Sequence, residues 1–169
     1  MHSTVDPNEL ASKYQDHVAD LMRQYSRTLN GQGLDGVVIH SGTPKSRSLF
    51  DDQSWPLRAV PHFAHWLPLQ TARSALLVEA GKRPTLFWWN ALDFWEAPIK
   101  PETDHFWWSF EVKELKDPAD VKGLLPAGRK LAFIGEEKGD CELWGLAPSA
   151  FNPPALLAAL DQLRVKKTS

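Results

Sequence analysis

With 169 residues, a formal net charge of −2 and a pI near 6.3, the chain is read as one domain spanning residues 1–169. It lacks the broad basic field that electrostatically driven nucleic-acid binding needs, beyond local clusters such as Lys45/Arg47 and Lys166-Lys167. Cys141 is the single cysteine, which excludes an internal disulfide and any Cys-rich metal site and fits a reducing compartment. No apolar run reaches the roughly 18 residues of a spanning helix, and Met1-His2-Ser3-Thr4 carries no signal pattern. The expectation is therefore a soluble, unexported, cytoplasmic protein with neither nucleic-acid nor membrane partners.

In chain order, Asp6-Pro7-Asn8-Glu9 reads as a helix start, with Asp6 as cap, Pro7 in the first turn and Glu9 at the capping-box position. Leu10, Tyr14, Val18, Leu21, Met22, Tyr25 and Leu29 then recur at three- and four-residue steps, the apolar face of a helix of about six turns, ended by Gly31 and Gly33. A strand follows from Gly36 to His40. Pro56, Pro61 and Pro68 predict an irregular path with short extended pieces through the next segment. Ala75–Val78 and Thr85–Trp89, joined by a turn at Ala80-Gly81-Lys82-Arg83, read as a hairpin of buried strands. The segment from Asn90 to Trp95 leaves the sheet, Pro98 and Pro101 make a loop up to the aromatic run Phe106–Phe110, and Glu111–Leu115 is a further strand. Asp117-Pro118-Ala119-Asp120 caps a short helix to Leu125, Lys130–Gly135 is a strand, and Asp140–Leu146 suits one or two helical turns. Asn152-Pro153-Pro154 opens a last helix with Leu156, Leu157, Leu160 and Leu163 inward. This alternation predicts an α/β fold, a three-layer sandwich with a mixed β-sheet flanked by helices.

Gly36 to Leu69 carries the densest chemistry. Lys45, Arg47, Asp51, Asp52, Arg58, His62 and His65 are interleaved with Phe50, Trp55, Phe63 and Trp66, following the strand Val37-Val38-Ile39 and the turn at Gly42 and Pro44. His62-x-x-His65 has two imidazoles but no Glu at zinc-peptidase spacing, so a metal role is set against ordinary hydrogen bonding. Asp51-Asp52 points to opposite faces if extended: one carboxylate held by Arg47 or Arg58, the other meeting a cationic ligand, or both serving turn capping and salt bridges. Adjacent His40 and Ser41 diverge on leaving a strand and make no triad by themselves. Gly135–Gly139 carries two glutamates that would repel phosphate, Lys166-Lys167 suits a solvated helix end, and Cys141 reads as an inert small residue. The eight tryptophans, Trp55, Trp66, Trp88-Trp89, Trp95, Trp107-Trp108 and Trp144, serve either a core or an interface.

In this order, His40-Ser41-Gly42, Phe50-Asp51-Asp52, Trp55-Pro56, Pro61-x-Phe63, Trp66-Leu67-Pro68 and Leu92-Asp93-Phe94-Trp95 resemble the amino-terminal domain of bacterial Xaa-Pro dipeptidases. This is the prolidase group that includes organophosphorus acid anhydrolase, with a creatinase/prolidase N-terminal fold. The resemblance runs from the first helix to Leu163-Arg164-x-x-Lys167-Thr168, which looks like the hand-over to a second, "pita-bread" catalytic domain. That domain carries two Asp, one His and two Glu for a pair of metal ions, usually manganese, whose bridging water attacks a scissile carbonyl. The resemblance thus implies a metallopeptidase hydrolysing dipeptides with C-terminal proline. This chain then holds no catalytic residue, no metal ligand and no cofactor of its own.

For this chain the resemblance further implies homodimerisation and capping of the partner subunit's active site, with Asp52 and Trp95 as the matching substrate-capping positions. Its departures are Ala91-Leu92-Asp93-Phe94-Trp95 where close relatives carry Pro-Val-Asp-Phe-Trp, and a polar loop from Thr43 to Leu49. The expected partners are its own C-terminal catalytic domain, a second copy, and the dipeptide substrate. The rival reading is a free-standing binding or interaction domain of the same fold. The sequence leaves open whether Ser169 is a natural terminus and what His62 and His65 do.

Overall fold

The structure is a computed structural model that describes residues 6–50, 53–90 and 105–165. In chain order the elements are α1 (Pro7–Gly31), β1 (Gly36–His40), α2 (Pro61–Trp66), β2 (Ala75–Glu79), β3 (Thr85–Trp88), β4 (Glu111–Glu114), α3 (Val121–Leu124), β5 (Leu131–Ile134), α4 (Lys138–Leu143) and α5 (Pro154–Val165). The strands form one mixed sheet in the order β4-β3-β2-β1-β5. β2 is antiparallel to both β1 and β3, while β5 is parallel to β1 and β4 parallel to β3. Every strand except β2 therefore points its carboxyl end toward the same edge, where open α/β sheets commonly hold ligands.

Alternation along the strands builds the layers. Val37, Ile39, Leu76, Val78, Leu86, Trp88, Ala132 and Ile134 face one side, against Leu21, Tyr25 and Leu29 of α1, Phe63 and Trp66 of α2, and Leu156 and Leu160 of α5. Val38, Ala75, Leu77, Phe87, Leu131 and Phe133 face the other, against Val121 of α3 and Cys141 and Trp144 beside α4. Helices on both faces of a mixed sheet are the three-layer α/β sandwich expected from the element pattern.

The caps follow local chemistry. Asp6 accepts from Asn8 N–H at 3.0 Å, while Glu9 lies 2.6 Å from the Lys13 ammonium on the exposed side of α1. Burial on α1 is confined to Val18, Leu21, Tyr25 and Leu29, and Leu10 is exposed, because only the later turns lie over the sheet and α5. Asp117 and Asp120 form a reciprocal capping box that leads into α3.

One expectation is corrected. The segment read as irregular contains α2, because Pro61 occupies the first turn, where its missing N–H costs nothing, and Phe63 and Trp66 fall three apart on one buried face. The helix stops at extended Leu67, the conformation that the following Pro68 favours.

The described tryptophans divide between core and surface. Trp66, Trp88, Trp107 and Trp144 are buried in the core, whereas Trp55 and Trp108 are exposed. Trp95 lies outside the described residues.

Candidate functional site

At the carboxyl end of β1 the side chains of His40 and Ser41 are buried and committed to different partners. His40 Nδ1 accepts from Gly42 N–H at 3.0 Å, which places the ring proton on Nε2, 3.5 Å from Asp140 Oδ2. The ring stacks on Trp144 at 4.8 Å between centroids. Ser41 Oγ instead accepts from Ser74 N–H at 3.0 Å, so the two residues do not form a base–nucleophile pair.

Burial pulls the His40 pKa down, and the nearby Arg73 adds to this, while Asp140 and Glu136 act the other way. His62, 3.1 Å from Asp161 Oδ1 on α5, is also lowered, by burial first, with Asp161 opposing and Arg164 assisting. Both imidazoles are therefore easier to protonate in the unfolded chain, so they favour folding fully above an ordinary His pKa of about 6.5 and lose that contribution as pH falls below it. Thermal unfolding followed at pH values on either side of this point should show a lower midpoint on the acid side. His40→Gln and His62→Gln should each flatten that slope; an unchanged slope in the double variant would assign it to other groups.

Beyond Gly42 the chain is held close to β1. Gly42 has φ +130°, and a Cβ there would lie 3.0 Å from the Arg58 carbonyl oxygen, so only glycine fits comfortably. Val60 N–H donates to Ser41 O and Arg73 N–H to Gly42 O, each at 2.9 Å. Between these anchors residues 45–47 and 53–55 pair as a short ribbon, with Arg47 N–H on Gln53 O, Trp55 N–H on Lys45 O and an antiparallel bridge between Ser46 and Ser54. Leu49 and Phe50 near its tip are 96% and 98% exposed. Asp51 and Asp52 lie outside the described residues.

A cleft of about 520 Å³ opens between this ribbon and the turn after β5, lined by Thr43, Lys45, Arg47, Trp55, Pro56, Arg58 and Glu136. Lys45 Nζ sits 3.3 Å from Glu136 Oε2. The Arg47 guanidinium lies 5.0 Å over the Trp55 ring and donates to Gln53 Oε1 at 3.1 Å. Lys45, Arg47 and Arg58 were legible as a charged cluster; the closure by Glu136, far along the chain, was not.

The end of β3 reaches the same edge of the sheet. Trp89 N–H donates to Ser74 Oγ at 3.0 Å, and Arg73, at φ 54°, lies 5.6 Å over the Trp89 ring. This Ser41–Ser74–Trp89 network carries no local motif and was not read from the sequence. The expected departure from the sheet between Asn90 and Trp95, and Trp95 itself, fall on residues 91–104, which lie outside the described residues.

The two α2 histidines diverge. His62 faces Asp161, whereas the His65 ring lies 5.4 Å from the His17 ring of α1, and His17 Nε2 is 2.7 Å from His65 O. Among the described residues no three His, Cys, Asp or Glu side chains converge as metal ligands, so these residues do not fit a manganese pair. Cys141 is buried, its thiol pKa pushed up by that burial and by Glu142, the reverse of an activated nucleophile. Among the described residues no helix is long and apolar enough to cross a membrane.

Comparison with known proteins gives a consistent result. A family model described as the N-terminal domain of Xaa-Pro dipeptidase matches residues 12–162. A Xaa-Pro dipeptidase of Sodalis glossinidius (strain morsitans) is 32% identical over 161 residues, covering 94% of this chain and 36% of that protein. One from Shewanella sp. (strain W3-18-1) is 35% identical over 164 residues, covering 95% and 36%. The chain thus spans little more than a third of the length of these curated relatives. Among solved structures, aminopeptidase P from E. coli in its low-pH form aligns at a TM-score of 0.49 and 15% identity, over 97% of this chain and 34% of that one.

Proposed function

The chain belongs to the family of Xaa-Pro dipeptidase N-terminal domains, and we propose from that premise that it is the non-catalytic half of a metal-dependent enzyme that cleaves dipeptides with C-terminal proline. In this reading a C-terminal catalytic domain holds two manganese ions, and the N-terminal half supports a homodimer and caps the partner subunit's active site. Asp52 meets the substrate ammonium, and Trp95 walls the proline ring and excludes water.

One observation carries the reading. The described ribbon residues 45–50 and 53–55 follow β1, and Trp89 and Asn90 follow β3, so both lie beyond the edge of the sheet where these two strands end. Exposed Leu49, Phe50 and Trp55 supply apolar surface at that edge for a neighbouring subunit. The cleft beside them favours the alternative, a binding domain of the same fold that works without a peptidase half.

The test is hydrolysis of an Xaa-Pro dipeptide with added manganese, by this chain alone and by a version joined to the coding sequence that follows it. Turnover in the extended protein only is the expected result. Turnover by the 169 residues alone would overturn the assignment, and turnover by neither would favour the binding domain.

A further inference from the structure

We propose that the cleft beyond β1 and β5 binds a small organic anion, a carboxylate or phosphate ester attached to an apolar ring. Of its three cations, Lys45 is engaged by Glu136 at 3.3 Å, and Glu136 is the only carboxylate among its described lining residues. Arg47 and Arg58 add two guanidinium groups to the same described lining. A guanidinium presents a planar fork of donors that matches the paired oxygens of a carboxylate or phosphate.

The Arg47 side chain is held from behind, and the Arg58 backbone is fixed. Arg47 is fixed by Gln53 at 3.1 Å and by the Trp55 ring, which limits the side-chain freedom lost when an anion is bound. The backbone at Arg58 is set by the close approach of Gly42 and by the Val60–Ser41 hydrogen bond of 2.9 Å. Trp55, 58% exposed, and Pro56 offer an apolar wall to a ring. The volume of about 520 Å³ falls within the range of small-molecule sites. A neutral ligand would gain only hydrogen bonds from the two guanidinium groups, without the charge attraction, which is why the class is an anion.

This inference does not use peptidase activity, so its test stands apart from that of the proposed function. Benzoate, phenyl phosphate and the neutral benzamide would be titrated into the 169-residue chain by calorimetry. Saturable one-to-one binding of either anion but not of benzamide is expected, weakening several-fold in about 0.5 M salt, where charges are screened within a few ångströms. Binding of benzoate alone, of phenyl phosphate alone or of both defines the headgroup preference, and each supports the site. Arg47→Gln and Arg58→Gln should each weaken binding roughly tenfold or more. Both side chains are exposed, so far-UV circular dichroism should be unchanged; Arg58→Lys, keeping the charge but losing the fork, should fall between. Absence of saturable binding by both anions, equal binding of benzamide, or full affinity in the Arg47→Gln/Arg58→Gln double variant would overturn the proposal.

Discussion

Trp66→Ala should destabilise the fold by about 3–5 kcal/mol, the range for removing a large aromatic side chain from a packed core. Trp66 is fully buried at the last turn of α2, between the sheet and α1, with its ring edge-on to Tyr25 at 4.8 Å. Burial pushes the Tyr25 hydroxyl pKa up, while the Trp66 indole acts in the opposite direction. Truncation removes the indole and leaves a cavity beside that hydroxyl. The Trp66 carbonyl, which accepts from Tyr14 O–H at 2.8 Å, is retained, so the loss reports the side chain. Since domains of this kind are stable by roughly 5–15 kcal/mol, the effect should be plain in urea unfolding, with Trp66→Phe losing less. A loss under about 1 kcal/mol, the scale of exposed substitutions, would mean that α2 is not packed on the sheet.

In the proposed dimeric enzyme, Asp52→Asn should lower kcat/KM for an Xaa-Pro dipeptide roughly 10- to 150-fold. That corresponds to about 1.5–3 kcal/mol for a hydrogen bond to a charged group. The loss should fall mainly on KM, because the ammonium is paired in the bound substrate as well as in the transition state. A dipeptide with an acylated amino terminus should be indifferent to the substitution. Mixing the variant with a subunit whose catalytic half is inactive but whose Asp52 is intact should restore activity if the capping is given in trans. No restoration in the mixed dimer would place Asp52 over its own subunit's centre, and no effect of the substitution would remove it from substrate binding.

Elements with strong local signals were legible in the chain. Asp6-Pro7 starts α1 where a cap followed by proline should, β1 and the β2–β3 hairpin follow from apolar runs bounded by turns, and Leu156 and Leu160 are inward on α5. The helix α2 was not, because three prolines dominate its neighbourhood and six residues are too short for an apolar period to declare itself. Candidate residues were legible as types rather than as assemblies: Lys45, Arg47 and Arg58 were marked by charge, but their convergence with Glu136 required β5 to pair beside β1.

Local pattern by itself determined most of the element types and boundaries, since caps and turns act over a few residues, and the ordered motifs carried the resemblance to the family. The tertiary structure alone decided the strand order, the parallel β1–β5 pair, the faces covered by each helix and which tryptophans are core. It also decided the engagement of His40 with Trp144 and Asp140. Asp35 N–H donates to Lys130 O at 2.9 Å while Asp35 Oδ2 accepts from Lys130 N–H at 2.7 Å, a clamp between residues 95 apart beside the β1–β5 pair. Contacts at that separation form only when burial of both strands outweighs the entropy of closing the intervening chain, a balance that no local run of residues encodes.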